Sequence, residues 1–562
     1  MSNNLIAITP SAYDYPLLIK HLLHAPLSRS PGQVIVYREH RHTYRQFRDR
    51  LGSLASALTD LCVKAGDVVA VLDWDSHRYH ECYFAIPMMG AVLQTANIAL
   101  PPEQLLYTLK ETGASTVLLN VDFLPLIEPL ASRLPNVSRF ILLNDGPDLP
   151  LTTLPVAGEY EALIESGSPF FVFPDFDERT RATTFHTTGT TGQPKGVYFS
   201  HRQILLHVLS TVGELGVATV QGGVNRDDVY MPMTPMFHVH SWGVPYSATL
   251  IGLKQVYAGR YAAEVFLWLI RDEGVTFTTC VPTLLQMQLD TPGSRDVDLS
   301  KLKMIVGGAA VPRPLVKAAL KRGIDVCAAY GESEACPTLT IMHLSTAQAT
   351  GDADTEVELR VKPGYAPPLM ELRVVDSNMQ EVAHDGKATG EIVARAPWLA
   401  MGYLNDPKAS ERLWAGGYLH TGDVGSIDLG TLHITDRLKD IIKSGGEWIS
   451  SVDLEDIILR REGVAKAAVI GIHDDKWGER PLVLVNLLPE FKGSVGRDEI
   501  RAHVMRSVEK GLISKFAMPE RVEFVDALPL TSVGKIDKKK LRAEYRVQPP
   551  AGHMPAAAQA AE

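Results

Sequence analysis

The feature that most constrains this chain is a short segment, residues 187–196 (TTGTTGQPKG), in which glycine, threonine and lysine predominate. Glycine allows backbone N–H groups to approach oxygen atoms closely. Threonine hydroxyls donate hydrogen bonds, and lysine supplies a compact positive charge. We therefore predict a loop that wraps a polyphosphate, and hence a protein that handles a nucleotide. Taken alone, the segment also fits a Gly/Thr-rich surface turn.

The spacing of this loop excludes the two commonest nucleotide-binding patterns. A Walker loop has glycine directly before its lysine and Ser or Thr after it, whereas Pro194 and Gly196 flank the lysine here. In the dinucleotide pattern G-x-G-x-x-G, Gly189 and Gly192 fit the last two glycines, but Thr187 stands at the first. The phosphate must therefore be held by a loop of another kind.

The residues on either side of the loop predict strands rather than a helix. Residues 181–187 (RATTFHT) are β-prone, and residues 197–199 (VYF) form a second short β-prone run. A helix is predicted only after Ser200, which forms a capping-box pattern with Gln203. No helix N-terminus is therefore directed at the loop, and phosphate must be bound by the loop's own donors.

Composition limits the remaining possibilities. The 562 residues are enough for three or four domain-sized units, and the net charge of −10 gives no support to a nucleic-acid role. The N-terminus lacks a signal-peptide pattern and no apolar run reaches the length of a membrane span, so we expect no stable membrane insertion and a cytoplasmic protein. The cysteines form no CxxC pair, and we expect buried, reduced thiols at Cys62, Cys82, Cys280, Cys327 and Cys336.

Short apolar runs alternate with amphipathic stretches, which predicts α/β layers with largely parallel sheets. Predicted strands are 68–72, 116–120, 275–280, 304–306 and 325–329, and predicted helices are 44–61 and 102–111. Shorter strands at 371–376 and 391–394 follow. After Asp436 we expect a compact unit of about a hundred residues, with helices near 452–461 and 538–545 and strands at 467–472 and 482–487. The Pro/Ala-rich tail from Gln548 predicts disorder.

Each of the remaining motifs is weak evidence of function when it is taken alone. The run 330–334 (YGESE) offers a hydroxyl and a carboxylate at a predicted strand end, which suits magnesium and phosphate but also a solvated turn. Asp423, after Thr421-Gly422, could accept hydrogen bonds from ribose hydroxyls, although Gly-Asp is also a turn signal. The charged run 436–440 before a Gly pair suits a hinge or a solvated linker.

Two further positions have a functional and an ordinary interpretation. Lys535 lies in a Ser-x-Gly loop near the C-terminus, where a plain surface lysine is the commoner case. His238 and His240 lie in the apolar run 237–242. Because no third ligand has fitting spacing, the two histidines indicate a packed core or a pocket wall rather than a metal site.

In their order and spacing these motifs together resemble the adenylate-forming superfamily of acyl-CoA synthetases, peptide-synthetase adenylation domains and firefly-type luciferases. The resemblance covers residues 25 to 545. It is greatest to bacterial medium- and long-chain fatty-acyl-CoA synthetases, through residues 436–451 (DRLKDIIKSGGEWISS) and 476–481 (KWGERP).

The resemblance implies a fold and a division into domains. The large N-terminal domain, residues 1–436, would contain two α/β subdomains and a small β-barrel-like subdomain. Residues 437–440 would form a hinge, residues 441–547 a small mobile α+β lid, and residues 548–562 a disordered tail. Fatty-acyl relatives are often homodimers, so a homodimer is expected here.

The resemblance also implies a reaction in two halves. A carboxylate, here of a fatty acid, attacks the α-phosphate of ATP in the presence of Mg²⁺ and gives acyl-adenylate and pyrophosphate. The thiol of coenzyme A then displaces AMP and gives the thioester. The lid rotates between the two halves and presents a different face to the site.

Each matched residue receives a task from the resemblance. The β- and γ-phosphates would be held by Thr187, Thr188, Gly189, Thr190, Thr191, Gly192 and Lys195. The adenine side of the site would be formed by Gly307, Gly308, Ala309, Tyr330 and Gly331. Ser333 would contact the α-phosphate, and Glu334 would hold magnesium. Asp423 and Arg437 would hold the ribose.

The lid and the acyl side complete the set of implied roles. Lys535 would bridge the carboxylate and the α-phosphate, and Lys439 would be the hinge residue. The lid face used in thioester formation would contain Lys443, Gly445, Gly446 and Glu447. His238 would lie between the nucleotide and the acyl pocket, which Val239 and Trp242 would line.

The chain departs from the family pattern in three places. His186-Thr187-Thr188 replaces a common Tyr-Thr-Ser, and Ser333 replaces a usual Thr, but both changes keep a hydroxyl at the matched position. His240-Ser241 replaces a common Asn-Ala before the tryptophan. This third change touches the acyl-pocket wall and leaves the preferred chain length open.

Several alternatives remain within and outside this function. The same scaffold serves ligases for short, alicyclic, aromatic or methylthio-carboxylic acids. An amino-acid-activating domain is less favoured because Phe237 is followed by His238 rather than Asp. Luciferase-type oxidation is not excluded by any motif. A non-catalytic nucleotide-binding protein would be indicated by loss of Lys535, Glu334 or Asp423, all of which are present.

Overall fold

The computed structural model describes residues 6–187, 193–218, 222–437, 440–444, 447–510, 512–531 and 536–545. The chain divides into two compact units. The first comprises residues 1–311, 315–373 and 393–421, and the second comprises residues 312–314, 374–392 and 422–562. Each unit is described by itself.

In the first unit, strands and helices alternate along the chain. Its strands are β1 (Val34–Tyr37), β2 (His40–Thr43), β3 (Val68–Leu72), β4 (Val92–Thr95), β5 (Thr116–Asn120), β6 (Arg139–Leu143), β7 (Val156–Glu159), β8 (Arg181–Thr187), β9 (Lys195–Ser200), β10 (Val229–Pro232), β11 (Lys254–Tyr257), β12 (Phe277–Cys280), β13 (Lys303–Val306), β14 (Asp325–Gly331) and β15 (Thr338–Ile341). Its helices are α1 (His24–Arg29), α2 (Tyr44–Asp60), α3 (His77–Met88), α4 (Pro102–Thr112), α5 (Leu124–Ala131), α6 (Tyr160–Ser166), α7 (His201–Val217), the short segment α8 (Val239–Trp242), α9 (Val244–Ile251), α10 (Ala263–Glu273), α11 (Pro282–Asp290), α12 (Arg313–Lys321), α13 (Ala353–Arg360) and α14 (Pro407–Leu413).

A seven-stranded sheet with the order β7-β6-β5-β3-β4-β8-β9 carries the predicted phosphate loop. Its neighbours are parallel except for β8 and β9, which are antiparallel. The central strand β3 reads VVAVL and every residue is buried, as expected of a parallel strand covered on both faces. Helix α2 begins at a complete capping box formed by Thr43 and Gln46.

An eight-stranded sheet has the order β15-β14-β13-β12-β10-β11-β1-β2. Its central strands are parallel, and only the edge strands β2 and β15 pair antiparallel with their neighbours. A third, smaller sheet has the order β16-β17-β18-β19, with β16 (Glu371–Val375), β17 (Gly390–Arg395), β18 (Leu419–Asp428) and β19 (Thr431–Arg437). The carboxyl ends of the parallel strands therefore gather at one edge of each large sheet, where ligands bind in α/β folds.

The C-terminal part of the second unit is a sheet with helices on it. Its strands are β20 (Ile442–Ser444), β21 (Glu447–Ile449), β22 (Val464–Asp474), β23 (Gly478–Leu487) and β24 (Arg521–Phe524), and its helices are α15 (Ser451–Leu459), α16 (Arg497–Glu509) and α17 (Lys538–Tyr545). The strand order is β21-β20-β23-β22, and β24 pairs with β23. Apolar side chains from α15, α16 and the sheet form one core, which makes this part a compact α+β body.

The predicted fold class is confirmed: the protein is a mixed α/β chain with largely parallel sheets and a small C-terminal α+β part. None of the helices that the structure describes is long and apolar enough to cross a membrane. All five cysteines are free. The expectation of buried thiols is confirmed for four of them but is wrong for Cys62, which is exposed because it follows the end of α2 in a left-handed turn.

Candidate active site

The predicted phosphate loop joins two adjacent antiparallel strands. His186 pairs with Gly196, and Thr187 pairs with Lys195, so β8 and β9 bring the two ends of the loop side by side. Residues 188–192, including Thr188, Gly189, Thr190, Thr191 and Gly192, lie outside the described residues. The capping box at Ser200 and Gln203 is present, and α7 begins at the end of β9 remote from the loop. The prediction that no helix N-terminus directly follows the loop is confirmed.

Lys195 and Glu334 meet at one aromatic side chain, Tyr403. The Lys195 ammonium lies 4.4 Å from the centroid of the Tyr403 ring, within the range of a cation–π contact. The Tyr403 hydroxyl donates a 2.7 Å hydrogen bond to Glu334 Oε1. Burial, together with the neighbouring Glu334 carboxylate, raises the pKa of Tyr403, so this phenol remains a donor at neutral pH. The sequence indicated Lys195 and Glu334 but gave no signal for Tyr403.

Backbone hydrogen bonds hold this arrangement in place. Leu404 N donates to Gly196 O at 2.8 Å, and Tyr403 forms an isolated bridge with Val197. Ala400 N donates to Glu334 O at 2.7 Å. The segment around Tyr403 is therefore attached at one side to the base of the phosphate loop and at the other to Glu334.

The YGESE motif lies at the end of β14, as predicted, and then turns sharply. Gly331 is the last residue of the strand, and Ser333–Ala335 form a 3₁₀ turn. A Cβ at Gly331 would lie 1.9 Å from the carbonyl oxygen of Pro337, so only glycine fits at this position. Glu332 N donates to the same Pro337 oxygen at 3.0 Å. This close approach fixes the direction in which Ser333 and Glu334 leave the strand.

The segment that carries the predicted acyl-pocket residues has an unusual backbone. Val239, His240, Ser241 and Trp242 all have φ between 48° and 59°, a left-handed region that costs L-residues about 1–2 kcal/mol each. Such strain persists only where surrounding structure holds it, and it occurs preferentially at functional sites. The half-buried His238 immediately precedes this left-handed segment.

The two aromatic rings of the left-handed segment, those of His240 and Trp242, lie in different surroundings. A Cβ on Gly307 would lie 3.3 Å from Cη2 of Trp242, so the indole lies directly against the predicted adenine-side glycine. Gly308 has a φ of 80° and Ala309 is exposed. His240, in contrast, is completely buried, with its ring 5.2 Å from that of Phe185. The expectation that these histidines belong to a packed core or pocket wall is confirmed for His240.

In the second unit, the predicted ribose-binding residues are direct partners. Asp423 on β18 pairs in register with Arg437 on β19, and Arg437 Nε lies 3.3 Å from Asp423 Oδ1. The Gly422-Asp423 pair therefore lies within a strand rather than a turn. Asp423 is largely buried, while Arg437 keeps about half of its side chain exposed. An antiparallel ladder thus presents a carboxylate and a guanidinium together.

The residues around the predicted hinge are tied to the C-terminal helix α17. Arg542 Nη1 lies 2.6 Å from Asp440 Oδ1. Lys538 Nζ lies 2.8 Å from Glu455 Oε1 and donates to Ser451 Oγ at 2.7 Å. The predicted hinge residue Lys439 lies outside the described residues. The residues on either side of Lys439 therefore belong to the second unit, because Arg437 lies in β19 and Asp440 is paired with Arg542 of α17.

Lys443 is exposed on β20, and its backbone N–H donates to Glu479 Oε2 at 2.9 Å. Gly445, Gly446 and the side chain of Glu447 lie outside the described residues, as does Lys535. The ends of the loop that contains Lys535 are described: Leu530 and Ile536 form a bridge, and Asp537 N donates to Pro529 O at 2.8 Å. The two described ends of the segment that contains Lys535 are therefore held next to each other.

Two places in the described part of the chain offer carboxylates to a cation. The ligand atoms of His42, His77 and Glu81 lie within 4.8 Å of one another. However, the Glu81 carboxylate already accepts from Arg50 and from the Tyr160 hydroxyl at 2.7 Å, so this group is an ion-pair network. Glu334 keeps one carboxylate oxygen beyond its bond to Tyr403, whose ring also contacts Lys195, and this fits Mg²⁺ held by one carboxylate and substrate phosphates.

Comparison with known proteins agrees with this geometry. Residues 23–404 match the model of the AMP-binding enzyme family, and residues 453–535 match that of the AMP-binding enzyme C-terminal domain. The first match alone covers more than half of the chain. The chain therefore belongs to the AMP-binding enzyme family, and the resemblance inferred from its motifs is confirmed.

Curated relatives extend over nearly the whole chain. A long-chain-fatty-acid–CoA ligase of Thermus thermophilus is 38% identical over 514 residues, covering 90% of this chain and 91% of the relative. A 3-methylmercaptopropionyl-CoA ligase of Ruegeria lacuscaerulensis is 36% identical, covering 88% of this chain and 90% of the relative. A medium-chain-fatty-acid–CoA ligase of Ectopseudomonas oleovorans is 33% identical, covering 90% and 91%.

A solved structure supports the fold. The ATP-bound MatB of Rhodopseudomonas palustris superimposes with a TM-score of 0.79 at 23% identity, covering 94% of this chain and 99% of that one. At this identity the likeness concerns the fold alone, and it agrees with the α/β architecture described above.

Proposed function

We propose that this protein is an ATP-dependent, AMP-forming acid–CoA ligase whose acid is a fatty acid. The observation that carries this proposal is the junction of Lys195, Tyr403 and Glu334, because it joins a phosphate loop to a carboxylate suited to a metal. A carboxylate oxygen of the acid attacks the α-phosphorus of ATP, and the bond to pyrophosphate breaks. The CoA thiol then attacks the acyl carbon, AMP leaves, and the thiol proton is released.

The residues around the phosphate loop would stabilise the negative charge that develops on the phosphates of ATP in the first step. Lys195, whose ammonium lies on the Tyr403 ring at the base of the loop, would stabilise the negative charge that shifts to the leaving pyrophosphate. Ser333 offers a hydroxyl for the α-phosphate, and the sharp turn after Gly331 directs it. Thr187, at the end of β8, begins the loop that would surround the β- and γ-phosphates.

Glu334 would hold Mg²⁺, which when bound neutralises phosphate charge and draws the phosphates into one geometry. The Tyr403 hydroxyl orients the Glu334 carboxylate through its 2.7 Å hydrogen bond. In the second unit, Asp423 would accept hydrogen bonds from the ribose hydroxyls, and Arg437, 3.3 Å from its Oδ1, would orient the carboxylate. Lys439 would serve as hinge, and Lys443, Gly445, Gly446 and Glu447 as the lid face of the thioester step.

A medium- or long-chain fatty acid is the favoured substrate, and a methylthio-carboxylic acid is the second candidate. The relatives from Thermus thermophilus and Ectopseudomonas oleovorans are named for fatty acids, and the Ruegeria relative is named for 3-methylmercaptopropionate. All three are similar to this chain over about nine-tenths of its length. Trp242, which packs on Gly307, would separate the two candidates by the length of acyl group that it admits. A homodimeric state and a cytoplasmic location belong to the same proposal.

The proposal is tested by pyrophosphate release, measured with acids from acetate to palmitate and with benzoate, cyclohexanecarboxylate and 3-methylthiopropionate. We expect CoA-dependent turnover to be fastest with a fatty acid of eight or more carbons. Fastest turnover with 3-methylthiopropionate would replace the fatty acid by the second candidate. Absence of pyrophosphate release with every acid would overturn the ligase proposal.

Replacing Tyr403 with phenylalanine should weaken use of ATP with Mg²⁺ while sparing affinity for the acid. The variant loses the hydroxyl that orients Glu334 but keeps the ring against Lys195. A hydrogen bond to a charged group contributes about 1.5–3 kcal/mol, so kcat/KM for ATP should fall by about 10- to 100-fold. Steady-state kinetics at several Mg²⁺ concentrations measure this. An unchanged Mg²⁺ dependence would contradict the role given to Tyr403, and Tyr107→Phe serves as control because that hydroxyl binds Glu111 instead.

Replacing Trp242 with alanine should change acyl-chain preference more than the KM for ATP. Removal of the indole, which the resemblance assigns to the acyl pocket, opens space between that pocket and Gly307, so longer or bulkier acids should gain relative to short ones. The preference is measured as the ratio of kcat/KM for palmitate to that for octanoate, with an expected change of about 10-fold or more. If instead the KM for ATP rises and the ratio stays constant, Trp242 is part of the adenine pocket.

A further inference from the structure

A cleft of about 470 Å³ lies within the first unit beside β8 and β9. Three arginines line it, Arg179, Arg181 and Arg202, and its lining contains no acidic residue. The remaining wall is formed mainly by Tyr198, Met401, Tyr403 and neighbouring residues of the same loop. Its size falls in the range of small-molecule sites. The cleft is therefore basic and partly apolar.

Arg181 differs from the other two arginines because it forms no ion pair with a carboxylate in the described part of the chain. Arg179 lies 3.1 Å from Asp177, and Arg202 lies 2.6 Å from Glu178. Arg181 is partly buried, and in the part of the chain that the structure describes no carboxylate lies within ion-pair distance of it. Its pKa is lowered by desolvation, so the guanidinium gives up hydration without a compensating charge. A buried cation of this kind is favourable once an anion reaches it.

An adjoining hollow continues from the cleft. It shares Tyr198, Met401 and Tyr403 with the cleft, and its lining also includes Asp406, Glu411 and Trp414. Met401 is 64% exposed and supplies apolar surface to both. Aromatic rings beside a guanidinium suit a ligand with a charged head and a flat or apolar body.

The Arg181 end of this cleft is distant from the phosphate loop, whereas Tyr403 and Leu404, at its other end, also contact Lys195 and Gly196 at the base of that loop. Arg181 pairs with Ser200 at one end of the β8–β9 ladder, while Thr187 pairs with Lys195 at the other. Six residues of extended strand correspond to about 20 Å. A ligand at Arg181 is therefore too far away to be bound by the loop that would hold ATP.

We propose that this cleft is a second anion-binding site, which takes a small organic phosphate or carboxylate with its head on Arg181 and its apolar body against Tyr198 and Met401. Arg181 supplies a planar pair of N–H donors that matches either head group. Because Arg179 and Arg202 are each paired with a carboxylate, the charge of Arg181 is the one left to attract the anion.

The test is isothermal titration calorimetry of the full chain with phenyl phosphate in the presence of saturating α,β-methylene-ATP, so that the nucleotide site is filled. We expect phenyl phosphate to bind with one site per chain and inorganic phosphate to bind at least several-fold more weakly because it lacks the apolar body. Benzoate, compared with phenyl phosphate, distinguishes a carboxylate from a phosphate source. Because an aromatic acid can also enter the acyl pocket, binding of either supports the site only where Arg181→Gln weakens it. Absence of binding by both would overturn the proposal.

Arg181→Gln should weaken phenyl phosphate binding by 10-fold or more, and Arg181→Lys should restore part of it because the charge returns without the planar fork. Arg41→Gln is the matched control, since it removes an exposed arginine paired with Glu273 outside the cleft. Equal binding by wild type, Arg181→Gln and Arg41→Gln would overturn the proposal. Thermal unfolding of each variant checks that it folds. If Arg181→Gln does not fold, the comparison of Arg181→Lys with wild type decides, because an unchanged affinity there rules out the guanidinium as the anchor.

Discussion

Replacing Lys535 with alanine is expected to slow acyl-adenylate formation by about 10²–10³-fold, the usual effect of removing one donor that stabilises transition-state charge. Thioester formation from supplied acyl-adenylate should stay close to the wild-type rate. The reason is that Lys535 is assigned to the carboxylate and α-phosphate of the first step only. The two half-reactions are measured separately, by pyrophosphate release in the absence of CoA and by acyl-CoA formation from synthetic acyl-adenylate.

Two further variants make this result interpretable. Lys540→Ala removes an exposed lysine from α17 with the same change in net charge, so it should leave both rates unchanged. Lys443→Ala should show the reverse pattern, with adenylation retained and the thioester step slowed, because Lys443 is exposed on the lid face assigned to that step. Equal losses in both half-reactions for Lys535→Ala and Lys443→Ala would contradict the idea that the two lysines serve different steps.

The elements of the fold could be predicted closely where local pattern and tertiary burial agree. Strands Val68–Leu72 and Thr116–Asn120 and helix Lys538–Tyr545 have the predicted bounds. The two strands are apolar runs, as buried strands require, and the helix has the amphipathic spacing of a helix that packs on one face. The strand predicted at 467–472 in fact runs over Val464–Asp474, because its long antiparallel pairing with Gly478–Leu487 extends it past the apolar core into charged residues. Pairing between strands supplies hydrogen bonds that no local pattern reveals.

The candidate site was predictable only in part, for a related reason. Lys195, Glu334 and Asp423 could be predicted because each belongs to a short motif whose neighbouring residues indicate its role. Tyr403 joins Lys195 to Glu334, yet it is about two hundred residues from the first and lies in an ordinary Gly-Tyr-Leu sequence. A contact between distant segments depends on the fold, so a single sequence gives no signal for it.

The left-handed segment at residues 239–242 is a second case of this kind. Val239 is β-branched, which makes a positive φ costly, and its sequence predicts an extended or right-handed conformation. The structure instead holds four successive residues in the left-handed region between His238 and Gly243. Packing of His240 among Phe185 and other rings determines this conformation. Local propensity is overridden at a position where the resemblance places the acyl pocket.

Lowering the pH from 7 to 5 is expected to destabilise the first unit strongly, through four buried histidines. Burial lowers the pKa to about 3 in His80, His201, His207 and His240. These rings stay neutral in the folded state, whereas in the unfolded chain they bind protons below about pH 6.5. Since the unfolded state then binds more protons, stability is lost as pH falls, by about 2 kcal/mol per histidine at pH 5 and about 8 kcal/mol for the four.

Two buried carboxyls act in the opposite direction. Burial raises the pKa of Asp75 to about 8 and that of Asp73 to about 6, so the folded state takes up their protons before the unfolded state does. Between pH 7 and 5 this stabilises the fold by about 4 kcal/mol in total. The histidine effect is the larger, and these six groups together give a net loss of about 4 kcal/mol, a large part of the 5–15 kcal/mol that is typical of a folded domain. The lowered pKa values of His42 and His77 act in the same direction as the four histidines and add to the loss. Urea unfolding at the two pH values measures this difference.

His240→Phe isolates one of the four contributions. Neither ring nitrogen of His240 has a hydrogen-bond partner among the described residues, so phenylalanine removes the titrating group without breaking a hydrogen bond. The loss of stability between pH 7 and 5 should shrink by about 2 kcal/mol. Any strain of phenylalanine at the left-handed backbone is the same at both pH values and cancels in the difference. His384→Phe, at a side chain that is 47% exposed, should keep the full wild-type loss. If His240→Phe keeps it as well, His240 becomes protonated in the folded state near pH 5, and its aromatic cage must then open to water as the pH falls.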